Sequence, residues 1–278
     1  MLLIAAALLH ACWNLVTKKA GAGLIFFWLV SFAASILCLP VIIWQMVREP
    51  FAFNNTILMF AFVSGILHIL YYVVLQLGYS KSDLSVVYPV ARGTGPLLSV
   101  TGAVLLFHEK PGLTGFAGII CIMVGIAIMT GFKKGQKGIL TGIYYGALTG
   151  LFIASYTLWD KSAVADHNVS ALFITFAAMV LPMLFLLHVP IKKGAAIVAD
   201  IRLHWKNVLI VAICQPLSYI LVLIAMKTTP LSYVAPVREL SIVFGVFFGI
   251  NLLKEADKIR RIIAACIIFA GIALLAWS

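Results

Sequence analysis

The chain has 278 residues, of which 63% are hydrophobic and 10% charged, and its 20 Lys and Arg against 9 Asp and Glu give a formal charge of +11. Soluble domains carry about 45–50% apolar and about 25% charged residues, so a water-soluble fold is excluded, whereas lipid can solvate an outer shell of Leu, Ile, Val and Phe. The basic excess, which in a soluble chain would raise nucleic acid as a partner, lies between apolar runs, where it acts as a topology signal and a contact to anionic membrane lipids; no nucleic acid is expected.

Ten apolar runs approach the length of about 20 residues that a membrane-spanning helix needs. In chain order they are Leu2 to Thr17, Leu24 to Val47, Ile57 to Tyr79, Leu84 to Phe107, Gly112 to Gly131, Gly138 to Leu158, Ser170 to Val189, Asn207 to Lys227, Ser232 to Leu253 and Ile259 to Trp277. The expected fold class is therefore an all-α polytopic membrane protein. The first run has no basic leader and continues through His10, Trp13 and Asn14 into Lys18 and Lys19, so it reads as a membrane helix and not as a cleaved signal. Breaks such as Arg48-Glu49-Pro50 and Lys133-Lys134-Gly135 carry loop chemistry. The longest connection, Pro190 to Lys206, spaces Ile191, Ala195, Val198, Ile201 and Trp205 at helical intervals among basic residues. It reads either as a short helix in the membrane interface or as a solvated linker.

The five cysteines, Cys12, Cys38, Cys121, Cys214 and Cys266, lie inside apolar runs and never form CxxC, so neither a disulfide framework nor a zinc site is expected. There is no Walker string, no HExxH and no cysteine–histidine cluster. No catalytic residue, metal or cofactor is expected, and the chain does not read as an enzyme.

Internal similarity organises the runs. A shift of 147 residues lays Ser85-Val86-Val87-Tyr88-Pro89-Val90 on Ser232-Tyr233-Val234-Ala235-Pro236-Val237, and His68 and Tyr72 on Gln215 and Tyr219. With a one-residue gap after Gly102, Glu109 falls on Glu255 and Gly125 on Gly271; a shift of 143 lays Ala11 to Leu15 and Lys18 on Ala154 to Leu158 and Lys161. The chain thus reads as two halves of five spans, residues 1–131 and 132–278. An odd number of spans per half makes the second copy enter the membrane from the opposite side, as an inverted repeat.

The segment His10-Ala11-Cys12-Trp13-Asn14 ending in Lys18, the segments Tyr88-Pro89-Val90-Ala91-Arg92 and Ala235-Pro236-Val237-Arg238-Glu239, and the turns at Glu109 and Glu255 before Gly-containing spans resemble the drug/metabolite transporter superfamily, in particular its bacterial ten-helix EamA-type members. The resemblance covers essentially the whole chain. It implies alternating-access carriage of a small organic solute through a central cavity between the halves, and it leaves the substrate open.

Ionisable groups inside spans cost about 2.5–3.5 kcal/mol near a helix centre on insertion scales, so they normally face a cavity or a partner. Arg92 lies well inside the fourth run, and Arg238 and Glu239 inside the ninth. Two readings stand: an ion pair that locks the halves together, or a cavity whose excess positive charge an anionic or zwitterionic solute neutralises, with Arg92 holding the anionic group. Arg92-Gly93-Thr94-Gly95-Pro96 reads as a helix-breaking string, so a discontinuous helix is expected there, and Pro89 and Pro236 free the carbonyls of Ser85 and Ser232. His10, Trp13 and Asn14 share a face of the first span, and His68, Tyr72 and Gln76 share one of the third, with Gln215 and Tyr219 as eighth-span counterparts. Each stripe reads as cavity lining or as satisfied core. Trp13, Tyr72 and Tyr156 offer cation–π faces to an ammonium, and Tyr88 is a further aromatic candidate that could equally sit at the interfacial belt.

The expected function is a secondary transporter for a small polar metabolite, an amino acid or similar anionic or zwitterionic solute, with aminophosphonates as one candidate. The alternatives are an exporter of cationic or lipophilic drugs or amines, and a membrane-embedded transferase, for which Asp160 and Asp166 do not form the acidic string wanted. Glu239, and after it His68, are candidates to exchange a coupling proton. A monomer would suffice. Loops after the odd-numbered spans hold 14 of the 20 Lys and Arg, among them Lys18, Lys81, Lys133, Lys192 and Arg260, and the opposite face holds four, Arg48, Lys110, Lys161 and Lys227. The positive-inside rule then places a bacterial inner-membrane protein with both termini outside the cytoplasm.

Overall fold

The computed structural model describes residues 1–20, 23–48, 54–130, 138–252 and 258–277. Among the described residues the regular structure is helical, with no strand: α1 (Leu2–Ala20), α2 (Leu24–Arg48), α3 (Asn55–Lys81), α4 (Leu84–Leu106), α5 (Leu113–Thr130), α6 (Ile139–Ala165), α7 (Ala171–Phe185), α8 (His188–Lys193), α9 (Ile197–Thr228), α10 (Leu231–Arg238), α11 (Leu240–Leu252) and α12 (Lys258–Ala276). An all-helical fold is what an apolar bilayer demands, because helices satisfy every backbone group within the segment. Among the described residues, six segments are long and apolar enough to cross a membrane: Leu24–Arg48, Asn55–Lys81, Ile139–Ala165, Ala171–Lys193, Ile197–Thr228 and Ile259–Ala276. Among those that fall short, α1 and α4 carry His10, Asn14 and Arg92 near their middles, and α10 is separated from α11 at Glu239.

Packing follows a closed pattern. α4 lies on α6, α5 on α12, α1 on α9 and α11, α3 on α6 and α7, and α2 on α7 and α9. Bilayer helices gain little from apolar burial against one another, so small residues that permit close approach decide these contacts. On α6, Gly142, Gly146 and Gly150 form one stripe against α4, and a Cβ on Gly150 would fall 1.8 Å from Thr94 Oγ1. Between α5 and α12, a Cβ on Gly118 would lie 2.6 Å from the Gly271 carbonyl oxygen and a Cβ on Gly271 2.7 Å from that of Gly118.

Four sequence expectations are corrected or narrowed. α4 runs unbroken through Pro89 and Pro96. Its glycines are contact surface and not a break: a Cβ on Gly95 would come within 2.9 Å of Ile153 on α6. Hydroxyls of Thr94 and Ser99 meanwhile donate to the carbonyls of Val90 and Gly95 at 2.8 and 2.9 Å, the kind of support that lets membrane helices carry Pro and Gly. The break lies instead in the ninth run, at Glu239, where N–H groups reach back only three residues: Glu239 to Pro236 at 3.0 Å and Ile242 to Glu239 at 2.8 Å. The sixth helix continues past Leu158 to Ala165 and takes Asp160 and Lys161 with it. The connection from Pro190 to Lys206 is helical and not a plain linker: α8 ends at Lys193, a single 3-10 turn follows over Gly194–Ala196, and α9 starts at Ile197.

Loop chemistry ties the ends. α4 closes with His108 in the left-handed region (φ 53) and the Glu109 N–H on the Ala103 carbonyl at 3.3 Å. That turn delivers the Glu109 carboxylate to α10, where Oε1 and Oε2 accept the N–H groups of Leu231 and Ser232, each at 2.7 Å. A carboxylate at a helix N-terminus meets both the unsatisfied donors and the positive end of the dipole. From α6, Lys161 Nζ donates to the Met226 and Thr229 carbonyls at 2.5 and 3.3 Å, at the other end of the same α9–α10 turn. Glu255 lies outside the described residues.

Candidate functional site

Polar side chains from six helices gather at the middle of the bundle. Arg92 on α4 is its hub. Nη1 lies 3.5 Å from Glu239 Oε1, Nη2 lies 2.9 Å from His10 Nε2 on α1, and Nε donates to the Tyr88 hydroxyl at 3.3 Å. The guanidinium also stands over the Tyr88 ring, 5.6 Å from its centroid. Tyr88 is exposed, while the Glu239 side chain is 0% exposed and that of Arg92 12%. Multiple hydrogen bonds are what make a buried ion pair tolerable, since desolvation otherwise offsets the Coulomb gain. Glu239 Oε2 has no hydrogen-bond partner.

The α1 stripe is partly turned inward on itself. Asn14 Nδ2 donates to the His10 carbonyl at 2.8 Å, and Trp13 meets the His10 ring edge-on at 4.9 Å with its Nε1 buried and unpartnered.

A second group adjoins the first. His68 on α3 bonds through Nδ1 to the Ser64 carbonyl at 2.8 Å and stacks on Tyr156 of α6 at 4.1 Å, with Tyr219 of α9 edge-on at 5.5 Å. Tyr71, not Tyr72, supplies the next ring from α3, 5.9 Å from Tyr156. Tyr72 is stacked on Phe27 of α2 at 3.6 Å, away from the group. Gln76 and Gln215 are half-buried on α3 and α9. Arg238, at the end of α10, is 7% exposed, has no partner at Nε, and stands beside Tyr156.

The residue that sequence reasoning missed is Asp160. It is 0% exposed on α6 and its Oδ2 accepts the Tyr219 hydroxyl, while Oδ1 has no partner at full hydrogen-bond geometry. Its presence changes the charge arithmetic: Arg92 and Arg238 face Glu239 and Asp160, so the group has no formal excess of positive charge. The signal available was its spacing one helical turn beyond Tyr156. Chemically, the arrangement offers two arginines, two carboxylates and a wall of aromatic rings, contributed by both halves of the chain; among the described residues no cluster of His, Cys, Asp and Glu suits a metal ion.

Comparison with known proteins agrees with this architecture. The model of the EamA-like transporter family matches residues 1–131 and 140–277. An "Uncharacterized transporter" of Archaeoglobus fulgidus is 26% identical over 195 residues, 70% of this chain and 67% of the relative. A crystal structure superimposes with a TM-score of 0.77 over 99% of this chain and 95% of that one at 15% identity, a likeness of fold. With its long apolar helices, the chain is a multi-pass membrane protein.

Proposed function

Because this chain belongs to the EamA-like transporter family, we propose that it is a secondary transporter that moves a small polar metabolite with an anionic group, an amino acid or similar zwitterion, by alternating access. Arg238 is the observation that carries the reading: a buried guanidinium at a helix break, with an unpartnered donor and no ion-pair partner among the described residues. Bidentate donors of this kind suit carboxylates and phosphonates. Arg92, already engaged by Glu239, His10 and Tyr88, frames the same place. Broken helices that line a mid-bundle site are a recurring feature of secondary carriers.

The architecture in this reading is ten spans, with α10 and α11 together as the ninth, in two inverted five-helix repeats over 1–131 and 132–278. The packing supports it. Exchanging α1 with α6, α2 with α7, α3 with α9, α4 with α10 and α11, and α5 with α12 turns the contacts α4–α6, α3–α6 and α3–α7 into α1–α11, α1–α9 and α2–α9, all of which occur. The contact of Gly118 with Gly271 becomes that of Ala264 with Gly125, which occurs as well. Such reciprocity is the mark of a two-fold relation.

Counterflow in proteoliposomes tests the reading. Protein preloaded with unlabelled amino acids or aminophosphonates should accumulate the labelled solute, and Arg238→Gln should abolish this while the protein remains folded. Exchange of lipophilic amines with no response to any carboxylate or phosphonate would replace this reading with amine export.

A further inference from the structure

The geometry points to Asp160 as the cation-binding pole of the transport site, so that the carried solute is a zwitterion whose ammonium docks at Asp160 and whose anionic group docks at Arg238; this rests on the transport reading above. Asp160 is fully buried beside Ser64 and Tyr219, and its Oδ1 has no partner at full hydrogen-bond geometry. No cation lies within ion-pair distance of it among the described residues: the neighbouring Lys161 directs its ammonium to the Met226 and Thr229 carbonyls. Arg238 is the opposite case, a buried cation with no acid at ion-pair distance among the described residues. A buried charge stripped of water and left without a partner is costly, and within a membrane such groups mark substrate and ion paths.

Two charges of opposite sign in one cluster would be expected to pair, yet no ion pair joins them among the described residues, and each stands beside a tyrosine. Tyr156 lies next to Arg238, Tyr219 bonds to Asp160, and the two ring centroids are 6.2 Å apart. Asp160 stands one turn beyond Tyr156 on α6, roughly 5–6 Å along the helix axis. A single small molecule that carries both charges would satisfy both poles at once. The faces of Tyr156 and Tyr219 and the His68 ring stacked on Tyr156 give an ammonium the electron-rich surroundings that favour it. An acid without an amine would leave Asp160 unpaired, and an amine without an acid would leave Arg238 so.

The test uses purified full-length protein and matched probes: L-alanine, L-leucine, 4-aminobutyrate and 2-aminoethylphosphonate, each beside its deaminated acid and its decarboxylated or dephosphonylated amine. Melting temperature and equilibrium binding are read for each. The wild type should bind at least one zwitterion tenfold or more tighter than both partial analogues. In Asp160→Asn that zwitterion should bind no tighter than its deaminated acid, and in Arg238→Gln no tighter than its amine. Tyr219→Phe, which keeps the ring and removes only the hydroxyl on Asp160, is the second variant should Asp160→Asn fail to fold; it should weaken the zwitterion and its amine, and spare the acid. Deaminated acids that bind wild type as tightly as amino acids overturn the inference and leave the transport reading standing. Amines that bind with no response to any acid overturn the reading itself, and a panel in which nothing binds overturns both.

Discussion

Arg92 and Glu239, which a shift of 147 residues lays on one another in the sequence, are also partners in space, with Nη1 3.5 Å from Oε1. In a two-fold arrangement only residues near the axis touch their own counterparts, so under the proposed inverted repeat this pair would lie at the axis. Reversing one charge alone, Arg92→Glu or Glu239→Arg, should destabilise the fold by about 3–5 kcal/mol, the usual cost of breaking a buried pair. The double reversal should recover most of that loss in melting temperature. Transport should stay impaired, because His10 and Tyr88 would then face a carboxylate. A double variant no more stable than the singles would show that the pair is not a contact.

Glu109 should matter for stability more than an exposed charge does. Glu109→Ala removes both acceptors from the Leu231 and Ser232 N–H groups at the start of α10 and should cost about 1–3 kcal/mol. Lys193→Ala, which breaks the exposed 2.6 Å pair with Asp200, should stay within about 1 kcal/mol. Thermal melts in detergent distinguish them; equal effects would remove the helix-capping role.

Gly118→Val and Gly271→Val should each lower the melting temperature sharply, since even a Cβ would come within 2.7 Å of a facing carbonyl oxygen; overpacking of this kind costs about 1–3 kcal/mol or more. Gly23→Ala is the control, because a Cβ there meets nothing within 4 Å. Unchanged melting of both valine variants would place α5 and α12 apart.

How much of this was legible depended on what each residue type signals. Arg92, Arg238 and Glu239 stood out because a charge in an apolar run has few explanations. Asp160 did not, because it follows the end of an apolar run and precedes Lys161, the usual look of a loop; only Tyr219, from a distant helix, shows that it is inside. Gly93 and Gly95 read as a break because glycine looks the same whether it frees a backbone or admits a neighbour, and the neighbour, α6, is not visible in the string. Tyr72 and Tyr71 differ by one position and 100° around α3, enough to send one to Phe27 and the other to Tyr156.

Coupling can be separated from carriage at Glu239. If this residue carries the proton, Glu239→Gln should retain solute exchange and lose accumulation driven by an imposed pH gradient. Wild-type transport indifferent to the gradient, with Glu239→Gln equally active, would make the protein a uniporter or exchanger.

Orientation is testable with reporters after Ser278. The 14 basic residues that the sequence places around the ends of the odd-numbered spans predict periplasmic phosphatase activity and a dark cytoplasmic fluorescent fusion. The reverse pattern would invert the assignment.

α9 has 32 residues, about 48 Å of helix against a hydrocarbon core of about 30 Å. Its first turns therefore overhang the bilayer as a lever arm whose fulcrum can sit at Pro216, where the proline interrupts the backbone ladder. A tilt of about 10° about that point swings Ile197 by about 5 Å, on the rise per residue of an ideal helix. If the protein alternates access as proposed, a spin label at Leu203, which is 74% exposed, should translate each turn of the cycle into a distance that can be clocked.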